Sequence, residues 1–145
     1  MMKVISYIKY YIQISSIDKK IKTKSFIDLV REECETSEKN SFIDLSALED
    51  IKIRKKIDDE IIIIEKVSLI YPGKAKCLHR AILQYRLLSK RYNLPVKIIV
   101  GIQKFPFYSH AWLAWKNNQA IFELDENLIR YEIITDSDFL IGGKT

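Results

Sequence analysis

Cys77 is where a chemical reading of this chain begins. It follows a Pro-Gly pair, Pro72 and Gly73, and opens the run Cys-Leu-His-Arg-Ala-Ile-Leu-Gln-Tyr, whose apolar spacing is that of an amphipathic helix. A cysteine at a helix N-terminus is placed for nucleophilic chemistry. The unpaired N–H groups and the positive end of the helix dipole favour its thiolate, and Lys74 and Lys76 add positive charge nearby. The same N–H groups can receive the oxyanion that forms during acyl transfer. The competing reading is a small buried apolar side chain, a common state of free cysteine.

A thiolate of this kind needs a base and a group to orient that base. The chain has two histidines. His79 lies two residues beyond Cys77 on the same helix, which points its ring away from the thiol, so it reads as exposed or packed. His110 opens the strand-like run His-Ala-Trp-Leu-Ala-Trp and shares a face with Trp112, which makes it the expected base. A purely structural histidine is the alternative. If Asn117 and Asn118 are the two central residues of a hairpin, His110 faces Asp125 and Trp112 faces Glu123. Both acids then lie on the histidine's side of the sheet. Asp125 is the preferred third member and Glu123 its alternate, because a one-residue bulge would shift the pairing. Phe105, Phe107, Tyr108 and Trp112 are the expected walls of a substrate groove.

The elements that position these residues follow from periodicity. Residues 1–24 read as a helix, and residues 48–70 read as a second one, with a buried strand over Ile61 to Ile64 as the alternative. Ser25 and Ser41 head two copies of Ser-Phe-Ile-Asp-Leu and read as helix N-caps. The cysteine helix extends to about Tyr92. Strands are expected at 96–102, 110–115 and 120–125, with a last short element over 128–134. Helices followed by an antiparallel sheet make an α+β fold with the helices on one face. A single domain spans 1–145, with a helical extension over 1–50 and the catalytic core over 51–145.

Composition removes several function classes. Two cysteines, Cys34 and Cys77, outside any Cys-x-x-Cys pair, give neither a disulfide framework nor a structural zinc site, and no cofactor is called for. Cys34 sits between Glu33 and Glu35, which push its thiol pKa up, so it reads as non-catalytic. The net charge of +5 is spread along the chain, without the dense basic stripe that nucleic-acid binding requires. No apolar run reaches the ~18 residues of a membrane span, and the start lacks a signal cleavage site. A cytoplasmic location is expected.

Cys77-Leu78-His79-Arg80-Ala81, the Leu-rich helix, the strand to Gly101 and His110-Ala111-Trp112 together resemble the bacterial transglutaminase-like proteins of lasso peptide biosynthesis. The B-protein protease domain of that family carries a Cys-Leu-x-Arg-Ala motif and a His-Ala-Trp motif, with an acidic residue on the next strand. The likeness covers roughly residues 60–134. It implies a papain-like core with Cys77 as nucleophile, His110 as base and Asp125 or Glu123 as acid. Arg80 matches the motif without being catalytic. The implied activity is removal of the leader from a ribosomally made precursor peptide. Residues 1–50 lack the strands of a fused winged-helix leader-binding domain. The resemblance therefore implies a separate leader-recognition protein and an asparagine-synthetase-like cyclase as partners. Acyl transfer to an amine, and a peptide-binding module without turnover, are the rival readings.

Overall fold

The computed structural model describes residues 2–35, 49–72 and 76–142. Two helices come first, α1 (Met2–Ile21) and α2 (Phe26–Glu35). Ser25 caps α2 as its sequence suggests, accepting a hydrogen bond from the Asp28 N–H at 3.1 Å. The second Ser-Phe-Ile-Asp-Leu copy, with Ser41, falls outside the described residues.

Helix α3 (Ile51–Ile70) settles the ambiguity at Ile61 to Ile64 in favour of helix. Asp50 caps it, accepting from the N–H groups of Lys52 and Ile53 at 2.9 and 3.4 Å. Ile57, Ile64 and Val67 form its buried stripe. Helix α4 (Cys77–Tyr85) starts on Cys77 and passes into a π-helical turn over Arg86–Arg91. Asn93, at φ 55°, then ends the helical path. The Arg86 guanidinium grips Glu33 through two hydrogen bonds of 2.6 and 3.0 Å, pinning this turn to α2.

Strands β1 (Val96–Gln103) and β2 (Tyr108–Trp115) form an antiparallel hairpin, with Val96 opposite Trp115 and Gly101 opposite His110. The short helix α5 (Asp125–Leu128) comes next. Strand β3 (Glu132–Asp136) then pairs with the other edge of β1, and α6 (Ser137–Gly142) follows. The strand order is β2-β1-β3. Helices packed against a three-stranded antiparallel sheet give the expected α+β class. Val96, Ile98, Val100, Ala111 and Leu113 turn toward the helices and join the main core. On the opposite face Ile99, Trp112 and Ala114 form a smaller core beneath Ala120, Leu128 and Tyr131. Side-chain alternation along β1 and β2 divides the two cores.

The expected return strand over 120–125 is not formed. Trp115 and Gln119 close the turn, with the Trp115 N–H donating to the Gln119 carbonyl at 2.9 Å. The Asn117 side chain accepts the Gln119 N–H at 3.0 Å, and Asn118 takes φ 75°. The loop thus has three residues rather than two, and its last residue is left-handed, as in bulged hairpins. Pairing is slipped by one residue and ends after the Ala114–Ala120 bridge and the Ile121 N–H bond to Leu113. Beyond that point the chain bends over the sheet into α5.

Candidate active site

Cys77 is half-buried at the first position of α4, beside the edge strand β2. Burial alone would raise its pKa. The hydrogen bond with His110, the N–H of Ala111 and the positive charges of His110 and Arg80 outweigh burial and bring the thiol below its ordinary range. Cys34 is the opposite case. It is only 1% exposed, and burial first, with Glu33 adding to it, pushes its thiol up to about 11.

His110 binds Cys77 on one side and Glu123 on the other. Its Nε2 lies 2.7 and 2.9 Å from the two Glu123 carboxylate oxygens, so Nε2–H donates to the carboxylate. That leaves Nδ1 for the sulfur. Burial pulls an imidazolium down. Here the bonds to Cys77 and Glu123 and the negative charges of both prevail, and His110 is pushed up to about 9. A lowered thiol beside a raised imidazole favours a thiolate–imidazolium pair, which titrates as a unit.

Two aromatic rings fix the plane of the imidazole. Trp112 stacks on it at 5.6 Å between centroids and Tyr131 at 5.0 Å. Room for this three-ring cluster depends on Gly101. A Cβ there would lie 2.9 Å from the Trp112 ring and 3.1 Å from the Tyr131 Cβ. Glycine at 101 is therefore a matter of close approach.

Of the two acids proposed for the third position, the geometry selects Glu123. Asp125 is exposed at the start of α5 and does not face His110. The correction follows from the turn: the one-residue slip and the early end of pairing abolish the His110–Asp125 opposition and leave the bend at Glu123 beside the ring. Among the four aromatics expected to line a groove, Trp112 alone borders the cavity at Cys77. Phe105, at 92% exposed, together with Phe107 and Tyr108, stands at the hairpin end. The β1–β2 ladder runs past His110 as far as Gln103 and Tyr108, which carries this loop beyond the cavity.

The cavity itself holds about 320 Å³ between α3, α4 and β2. Ile61, Ala81 and Phe122 give it apolar walls, and Gln84 adds an amide. Arg80 and Glu65, paired at 3.3 Å, stand at its margin. Through this ion pair Arg80 braces α4 against α3, and it also adds positive charge near the thiol. Tyr131 and Glu65 escaped sequence reasoning. Nothing local marks either, because the first arrives through the β2-β1-β3 strand order and the second through helix packing. Among the described residues no helix is long and apolar enough to cross a membrane.

Neither the curated proteins nor the solved structures offer a match to this chain. A family model does: the one described as the transglutaminase-like superfamily matches residues 45–135, well over half of the chain. Members of that superfamily are commonly cysteine-dependent enzymes. The matched span takes in Cys77, His110 and Glu123 alike, and this chain belongs to the transglutaminase-like superfamily.

Proposed function

We propose that the protein is a cysteine endopeptidase that removes the leader from a ribosomally made lasso precursor peptide. The observation that carries this reading is the Cys77–His110–Glu123 arrangement beside an open cavity. The thiolate attacks the carbonyl carbon of the leader–core peptide bond. The resulting oxyanion is received by N–H groups at the α4 N-terminus. His110 gives its Nδ1 proton to the departing amine, and an acyl-enzyme remains on Cys77. Water then loses a proton to His110 as it attacks the thioester, which frees the second fragment and restores the thiolate–imidazolium pair. Glu123 holds Nε2–H throughout and stabilises the positive ring.

The substrate backbone runs along the β2 edge, with Trp112 and the hairpin-end Phe105, Phe107 and Tyr108 flanking it. A separate winged-helix leader-recognition protein delivers the precursor, and an asparagine-synthetase-like cyclase takes the released core, all in the cytoplasm. The test incubates the protein and a leader-binding partner with precursor peptide and reads the products by mass spectrometry. Two fragments split at the leader–core junction are expected, and none with Cys77→Ala. Undiminished cleavage by Cys77→Ala would overturn the nucleophile. An intact precursor modified at an amine would instead indicate acyl transfer.

A further inference from the structure

The second histidine is not an idle surface residue. His79 is 1% exposed, one turn into α4. Its Nδ1 accepts the backbone N–H of Lys76 at 2.8 Å. Lys76 is the N-cap of α4, and a lysine side chain has no acceptor with which to cap. His79 therefore does what a glutamate or glutamine does at the third position of a capping box, reaching back to satisfy the N-cap N–H.

Accepting at Nδ1 fixes the tautomer with the proton on Nε2. That nitrogen lies 3.3 Å from Asp18 Oδ1 on α1, to which it donates. The other Asp18 oxygen accepts the hydroxyl of Tyr71, the C-cap of α3, at 3.1 Å. One carboxylate thus ties the end of α3 and the start of α4 to α1. Tyr71 and Lys76 bracket the connection that leads to Cys77.

We infer that Asp18 and His79 form a buried clamp that holds the first turn of α4, and with it Cys77, in its reactive position, and that the clamp closes only while His79 is neutral. A proton on Nδ1 would set an N–H against the Lys76 N–H, losing the cap bond and replacing attraction with repulsion. The charged and titratable groups facing the ring bear on when this happens. Asp18 on α1 favours the imidazolium, while Lys76 at the head of α4 opposes it. Lys22, 3.9 Å from Asp18, partly neutralises the carboxylate, and Tyr71 bonds the same group. Burial outweighs Asp18, so His79 stays neutral to a lower pH than an ordinary histidine. His79 is accordingly a positioning residue, which acts on the thiolate through the helix tip.

The inference rests on Cys77 being a poised thiol but needs no particular substrate. Its test follows alkylation of Cys77 by iodoacetamide between pH 4.5 and 8 in the full chain. His79→Gln retains an acceptor for the N-cap N–H and does not titrate. It should label at the wild-type rate at pH 7.5 and at least ~3-fold faster than wild type at pH 5. His79→Leu lacks the acceptor and should label ~5-fold more slowly at pH 7.5, the scale of one lost cap. Wild-type profiles for both variants would overturn the clamp while leaving Cys77 as nucleophile. Should circular dichroism show His79→Leu unfolded, His79→Gln decides: a profile superimposable on wild type overturns the clamp. A failed precursor-cleavage assay with normal Cys77 labelling would sink the peptidase reading and leave the clamp standing.

Discussion

Replacing Glu123 by glutamine keeps the shape of the side chain and removes its charge. Opposite unit charges about 4 Å apart attract by ~4 kcal/mol at an effective dielectric constant near 20. The Glu123 side chain is one-third exposed against 15% for His110, so solvent screening reduces the useful part to ~2 kcal/mol. That is ~1.5 pKa units on His110, which should fall from about 9 toward ~7.5. The thiolate loses the matching stabilisation because it depends on a protonated His110. The range over which the thiolate–imidazolium pair persists should therefore end ~1.5 pH units lower, so that at ~pH 8 His110 is mostly neutral in the variant and still charged in the wild type. The assay is the iodoacetamide rate across pH 5 to 10, paired with proton NMR titration of His110. Asp125→Asn, at an exposed position on α5, serves as the control and should leave both curves in place. Unmoved curves in Glu123→Gln, or a shift in Asp125→Asn, would refute the assignment of the carboxylate.

Precursor cleavage should lose rate as pH rises through about 9, where His110 gives up the proton needed by the leaving amine; a rate still climbing at pH 10 contradicts that role. Cys34, buried with its thiol near 11, should resist iodoacetamide in the native protein and label readily in urea, as peptide mapping can show. Gly101→Ala forces a methyl group into the Trp112 ring and should cost ~1 to 3 kcal/mol in urea denaturation, together with slower cleavage. Asp136 bonds the buried Lys97 ammonium at 3.0 Å and the Phe139 N–H at 2.9 Å. Burial would raise its carboxyl pKa, but the Phe139 N–H and Lys97 hold it below the ordinary range. The folded value lies under the unfolded one. Its stabilisation is therefore present above ~pH 4 and is lost as pH falls through the folded value. Asp136→Ala strands the Lys97 ammonium and should cost ~3 kcal/mol at pH 7, read from urea midpoints.

Local sequence carried a good deal of this protein. The helix-start position of Cys77, the two strands of the β1–β2 hairpin and the α+β order follow from periodicity and from residues that stop helices, such as Asn93 and Pro95. With two histidines in the chain, His110 as partner of Cys77 was reachable by position along the helix. The identity of the carboxylate was not. It hinges on whether a turn holds two residues or three, a choice made when Asn118 adopts a left-handed conformation and the Asn117 side chain takes the Gln119 N–H. With a single residue of slip a continued ladder would set Leu124, not Asp125, opposite His110; pairing ends first, and the bend that follows carries Glu123 to the ring.

His79 was legible only in part, for a related reason: of the two readings, exposed or packed, the structure shows the packed one. Its spacing from Cys77 says correctly that it does not face the thiol, but says nothing of Asp18, which arrives from α1 only after the helices pack. Tyr131 likewise reaches His110 through the strand order, across a glycine whose missing side chain makes the space. The sequence by itself determined which residue types could react and which elements carry them. The tertiary structure decided which carboxylate each histidine meets, because hydrogen-bonded partners far apart in the chain are chosen by packing and register rather than by local propensity.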